Sequence, residues 1–173
     1  FNELSRLEIP SAKALQFTIL TAARTTETLE ITREEIDFKQ QLWKVPARRM
    51  KARRGHSVPL STRALDIIEN QISSHNGRYL FEGSHPEKPL SNMSMLTLVK
   101  RRFKEFDTTV HGFRTTFRTW AAEQTDYNDN IVEFALAHQL DQKVEGAYQR
   151  SQLIERRRPL MQDWADYAYS KIN

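Results

Sequence analysis

The 173-residue sequence is patterned for an α+β domain, mainly α-helical with one small antiparallel β-sheet. Over most of its length apolar residues recur at helical spacing behind capping residues. Only three stretches have strand character, all short and separated by polar loops, which argues against a large sheet. No internal repeat, low-complexity tract or Pro/Gly-rich linker divides the chain. One domain over 1–173 is expected, long enough to bury a substantial core.

Residues 11–21, behind Pro10, form an apolar helix with Leu15, Phe17, Ile19 and Leu20 inward. The chain breaks at Ala22-Ala23-Arg24 and a short helix follows over 26–31. Strand character appears at 35–37, 42–46 and 56–60, a meander whose second and third members flank a basic loop. Ser61 or Thr62 caps a helix carrying Leu65, Ile68 and Ile72, and Asn76-Gly77 stops it. Tyr79-Leu80-Phe81 is a brief apolar patch. Ser91 or Asn92 starts a helix reaching Phe106, with Met95, Leu98, Val99 and Phe103 inward. Helix 111–124 places Phe113, Phe117, Trp120 and Ala121 on one side. Helices over 130–137, 144–150 and 155–169 complete the order. The last, within a helical tail over 155–173, is amphipathic through Leu160, Met161, Trp164 and Ala168. It suits packing on its own domain or docking on a neighbouring protomer.

The chain has no cysteine, which excludes disulfide frameworks, thiolate zinc sites and cysteine nucleophiles, and fits a cytoplasmic location. No apolar run approaches the ~18 residues of a membrane span. The opening Phe1-Asn2-Glu3-Leu4-Ser5 lacks a Met and a basic lead, and reads as an excised piece of a longer protein. Formal net charge is +4, from 26 Lys+Arg against 22 Asp+Glu, and its distribution says more than its size. Segment 44–54 holds Lys44, Arg48, Arg49, Lys51, Arg53 and Arg54 without an acidic residue. Lys100, Arg101, Arg102 and Lys104 form a second basic cluster, and Arg150, Arg156, Arg157 and Arg158 a third. Such segregation is the footprint of a polyphosphate partner, although any one cluster is equally an ordinary solvated face.

Chemistry-bearing residues stand out at a few positions. Arg24 sits at a helix break, with Glu27 three residues on. Lys51 lies in the basic loop, His111 and Arg114 share one helical face, His138 ends an apolar run, and Tyr148 precedes Arg150. Each alone has a plain structural use: a carbonyl-binding arginine, a solvated lysine, a capping histidine, a packing tyrosine. Together and in this order they resemble the catalytic domain of the tyrosine recombinases, the phage integrase family. The matching stretches are TAARTTETLEIT, RMKARRGHSVPLS, HGFRTTFRTWAAE, LAHQLDQKVEGAY and AYQRS. Their wording is most similar to prophage and satellite-phage integrases of enterobacterial type.

The resemblance implies the DNA breaking-rejoining fold of that family and a role for each position. Arg24 and Arg114 would be the catalytic arginines, with Glu27 supporting the first. Lys51 would be the hairpin lysine, His111 and His138 the two histidines, and Tyr148 the nucleophile. The implied reaction forms a covalent 3′-phosphotyrosine and frees a 5′-hydroxyl, without ATP, metal or cofactor. Two guanidinium groups can take over the charge-neutralising part of a metal clamp. The histidines at 56, 75, 85, 111 and 138 are dispersed and suggest no metal site. Arg48, Arg49, Arg53, Arg54, Lys100, Arg101 and Arg150 are the expected DNA contacts. Two departures touch packing: Ala23 stands where the family often has Gly, and Arg33 where a Trp often follows. The implied partners are double-stranded attachment sites, three further copies of the protein on DNA, a directionality factor and a host bending protein. The isolated fragment is expected to be monomeric. A resolvase or invertase, a type IB topoisomerase, and a non-catalytic DNA-binding module are the alternatives.

Overall fold

The computed structural model describes residues 1–85, 87–138 and 150–170, the side chains of 150–152 excepted. Helix α1 (Asn2–Ser5) is a single turn that lays Leu4 against α2 (Pro10–Thr21). Helix α2 starts on Pro10, where a missing N–H costs nothing. Nine of its 12 residues are buried, because α1 and four later helices of the chain, the last one included, all pack around it. Its buried polar groups are satisfied. Gln16 Nε2 donates to Leu4 O at 3.0 Å, and the Thr18 and Thr21 hydroxyls donate to carbonyls one turn back. The helix ends on Ala22, which is left-handed at φ 49°, and α3 (Thr25–Leu29) leaves in a new direction.

Strands β1 (Ile36–Asp37), β2 (Leu42–Val45) and β3 (His56–Pro59) form the expected antiparallel meander in the order β1-β2-β3. Trp43 pairs with Ile36 on one side and Val58 on the other, and Val45 pairs with His56. The inward face of β2 sets Trp43 against Phe17 at 5.4 Å between ring centroids, and Phe17 also meets Phe81 at 5.8 Å. The Tyr79-Leu80-Phe81 patch is thus core: Leu80 and Phe81 are fully buried, and Tyr79 bridges Thr32.

Ser61 caps α4 (Thr62–Ser74), its hydroxyl accepting from Ala64 N at 3.3 Å. Helix α5 (Ser94–Arg102) is shorter at both ends than the spacing suggests. Ser91 is spent on a turn, its hydroxyl accepting from Met93 N, and the chain leaves the helix at Phe103 so that Phe106 is exposed. Met95 and Val99 are buried, while Leu98 and Phe103 are only partly so. Helix α6 (Gly112–Gln124) buries Phe117, Trp120 and Ala121, and α7 (Asp129–Ala135) follows after a cap by Asn128.

Helix α8 (Arg150–Ser170) is one continuous element. The helix expected over 144–150 lies outside the described residues except for Arg150. Helix α8 packs on the chain's own core. Leu160, Met161, Trp164 and Ala165 are buried, and Trp164 stacks among Phe117, Trp120 and Tyr167 at 5.1–5.8 Å. The Trp164 indole N–H donates to Ile19 O at 2.7 Å, across 145 residues of sequence. Among the described residues no helix is long and apolar enough to cross a membrane.

Candidate active site

Three chain reversals build the site. At the first, Ala22 adopts a left-handed conformation and Ala23 N donates to Thr18 O, which closes α2. Arg24 then stands at the start of α3. The carboxylate of Glu27 accepts from Arg24 N at 2.9 Å and from Arg24 Nη1 at 2.8 Å, so it fixes both backbone and guanidinium. Glu27 is buried, whereas the Arg24 side chain keeps about a quarter of its surface open at 27%.

At the second reversal, His111 opens α6 from an exposed position, and Arg114 lies three residues on, buried at 5% exposure. Its guanidinium reaches the C-terminal ends of two helices. Nη1 donates to Ala22 O at the end of α2, and Nη2 donates to Leu136 O beyond α7 at 2.7 Å. A cation at two helix C-termini meets the negative end of each macrodipole. Burial, and then the nearby charge of Arg24, pushes the Arg114 guanidinium down to about 10, still cationic at neutral pH.

The third reversal repeats the first. Ala137 is left-handed at φ 52°, and His138 N donates back to Glu133 O at 3.0 Å. This folds the His138 ring over Glu133. Nδ1 lies 2.5 Å from Glu133 Oε2, and Nε2 lies 3.4 Å from Arg114 Nη2. The other Glu133 oxygen accepts from Arg118 Nε at 2.5 Å. Burial pushes the Glu133 carboxyl up, but hydrogen bonds from His138 and Arg118 outweigh it and hold the carboxyl below its ordinary value.

Arg24, Glu27, Arg114 and His138 therefore converge, although 114 residues separate the first from the last. Lys51 is exposed on the β2–β3 loop, directly after the buried anchor Met50. Tyr148 lies outside the described residues. The other tyrosines are committed elsewhere. The Tyr127 hydroxyl donates to Asp163 at 2.6 Å and is pushed up to about 12 by burial and by that carboxylate. Tyr167 stacks on Trp164, Tyr169 packs against Phe1 under Arg63, and Tyr79 sits beneath Arg78.

The basic clusters divide. Arg48, Arg53, Arg54, Lys100 and Arg101 are exposed. Arg49, expected on a DNA-facing surface, is turned inward. It pairs with Glu35 at 2.8 Å and donates to Glu27 O at 3.1 Å, so it braces the hairpin against α3. Lys44 pairs with Asp37 and Arg102 with Glu3, both at 2.7 Å. The third cluster is not one surface: Arg157 is buried and donates to Ser57 O at 2.9 Å, and Arg158 pairs with Glu155. The side chain of Arg150 lies outside the described residues.

Two residues at the site went unassigned in the sequence, Glu133 and His56. His56, on β3, is within electrostatic reach of Arg157, Arg24 and Arg114. Burial first, then these cations, push it down to about 3, so it is neutral. The only sequence sign of Glu133 is an acid five residues before His138, which is not a helical spacing.

A sequence profile of the phage integrase family matches residues 1–153. Prophage integrase IntA of Escherichia coli (strain K12) is 38% identical over 150 residues, covering 86% of this chain and 36% of that protein. The chain thus spans little more than a third of that relative. The lambda integrase catalytic core superposes with a TM-score of 0.61 at 14% identity, over 82% of this chain and 88% of that one. A lambda integrase tetramer bound to a Holliday junction gives 0.60 at 15% identity, over 86% and 45%. At such identities the likeness shows a shared fold. With nearly nine-tenths of its residues inside the family profile, the chain belongs to the phage integrase family.

Proposed function

We propose that residues 1–173 form the catalytic domain of a tyrosine-type site-specific DNA recombinase that integrates or excises a prophage or genomic island. The observation that carries this reading is the joined pair of guanidinium groups. Arg114 is hydrogen-bonded to the carbonyl of Ala22, two residues before Arg24, and His138 Nε2 lies 3.4 Å from Arg114. Two guanidinium groups so placed suit the two non-bridging oxygens of a phosphodiester.

In this scheme the Tyr148 oxygen attacks phosphorus. Its proton passes to His111, and the P–O bond to the 5′-oxygen breaks. Arg24 and Arg114 hold the negative charge that builds on the non-bridging oxygens, and His138 donates a hydrogen bond to one of them. Lys51 gives a proton to the leaving 5′-oxygen. The product is a 3′-phosphotyrosine, which a 5′-hydroxyl from another strand reverses to complete strand exchange. Arg48, Arg53, Arg54, Lys100 and Arg101 contact DNA phosphates, and binding weakens steeply with salt. The partners are double-stranded attachment sites and three further copies of the protein on DNA. A directionality factor and a host bending protein assist.

The test is Tyr148→Phe on a nicked suicide substrate. Covalent adducts disappear while DNA binding stays within a few-fold. A Tyr148→Phe protein that still forms adducts overturns the assignment.

A further inference from the structure

We infer that Glu133 is a positioning residue for His138, holding the histidine by Nδ1 so that Nε2 is the nitrogen presented to the scissile phosphate. The inference rests on the site proposed above. Its basis is the reversal at Ala137, which makes Glu133 grip the same residue twice. The Glu133 carbonyl accepts from His138 N at 3.0 Å, and its carboxylate meets His138 Nδ1 at 2.5 Å. An ionised carboxylate is only an acceptor, so the Nδ1 position must carry a proton. The ring is thereby fixed in tilt, with Nε2 left toward Arg114 Nη2 at 3.4 Å; donation to the phosphate then takes a second proton, on Nε2, and the Glu133 carboxylate faces the cationic ring that results.

Glu133 is itself held. Arg118, one helical turn beyond Arg114 on α6, donates to the second oxygen at 2.5 Å. The carboxylate is kept ionised below its ordinary range by these partners. Among the described residues, the charged groups facing His138 are Glu133 from α7 and Arg114 from α6, with Arg118 behind Glu133. Glu133 also lies within electrostatic reach of Arg114 and favours its charged form. A carboxylate that orients a histidine from behind is a recurring device in histidine chemistry, and its loss typically slows the reaction by about 10-fold or more.

The test is a double-mutant cycle on single-turnover cleavage of a nicked suicide substrate at saturating protein. Glu133→Ala should slow cleavage about 10- to 100-fold with DNA binding and melting temperature little changed. Glu133→Gln, which keeps the shape and one acceptor, should slow it less. In a His138→Ala background Glu133→Ala should add less than about twofold, because the group it positions is gone. Equal, additive losses in both backgrounds overturn the inference, since they report a structural role. So does full activity of Glu133→Ala beside an impaired His138→Ala. If His138→Ala itself cleaves at the full rate, it is the reading of the site that fails. Should Glu133→Ala not fold, the same cycle is run with Glu133→Gln.

Discussion

His56 sits on β3 with Arg157, Arg24 and Arg114 as its electrostatic neighbours, and it stays neutral in the folded protein. In the unfolded chain a histidine titrates near 6.5; here burial, and then the neighbouring arginines, push it down to about 3. Between those values the unfolded state binds the extra proton. The stability due to neutral His56 is complete above pH 6.5 and is lost as pH falls, with a slope of up to about 1.4 kcal/mol per pH unit. His56→Gln should flatten that part of the profile. Urea denaturation at pH 7.0, 6.0 and 5.0 checks it. Glu35, pushed above its ordinary value by burial, works in the opposite direction, so the comparison is between the parent and His56→Gln. Identical slopes in both proteins would refute the role. At this scale the sequence was only half legible. Arg24, Arg114 and His138 stand in an ordered pattern, and the fold brings them together. His56 and Glu133 do not: the neighbours of His56 come from the start of α3, from α6 and from α8, Glu133 meets His138 through a left-handed alanine, and neither leaves a periodic trace.

The β2–β3 hairpin separates a fixed base from an exposed tip. Its base is held by the β2–β3 ladder, by Arg49 on Glu35, and by buried Met50. Residues 51 and 53–55 beyond it are exposed, with Arg53 left-handed at φ 54°. Lys51 is thus the first residue past the anchor. The proposed general-acid role has a direct chemical check. A substrate with a 5′-bridging sulfur needs no protonated leaving group. Lys51→Ala should cleave normal DNA about 100-fold or more slowly, yet regain near-parental rates on the sulfur substrate. Absence of rescue excludes the role. The sheet and its basic loop were legible from strand periodicity and charge. The inward turn of Arg49 was not, since charge runs do not say which member finds a buried carboxylate. The end of α5 was missed for a related reason. Apolar spacing continues to Phe106, but full burial ends at Val99, Phe103 packs only partly, and Phe106 is exposed.

The molecule as a whole is tied together by its last helix. Leu160, Met161, Trp164 and Ala165 fill the space beside α2 and α6, and Thr62 on α4 donates to Gln162 at 3.0 Å. The amphipathic pattern announced a docking helix but left two hosts open. The described contacts are to the chain's own core. Truncation at Ser151 should therefore abolish cooperative folding and leave insoluble protein, and Trp164→Ala alone should cost about 3–5 kcal/mol. A soluble truncated monomer with a sharp thermal transition would contradict this.

The grip of Arg114 on the ends of α2 and α7 has a consequence for catalysis. A free arginine side chain must give up rotamer entropy, up to about 2 kcal/mol, when it seizes a ligand. Here that loss has already been taken when the helices docked, long before any phosphate arrives. In the proposed mechanism the incoming anion meets donors that need not reorganise, so the favourable field exists in full at the moment charge develops. Folding and the proposed transition-state stabilisation thus draw on the same two carbonyl contacts. Substitutions at Ala22 or Ala137 that merely relax a backbone turn would be felt first as a slower chemical step.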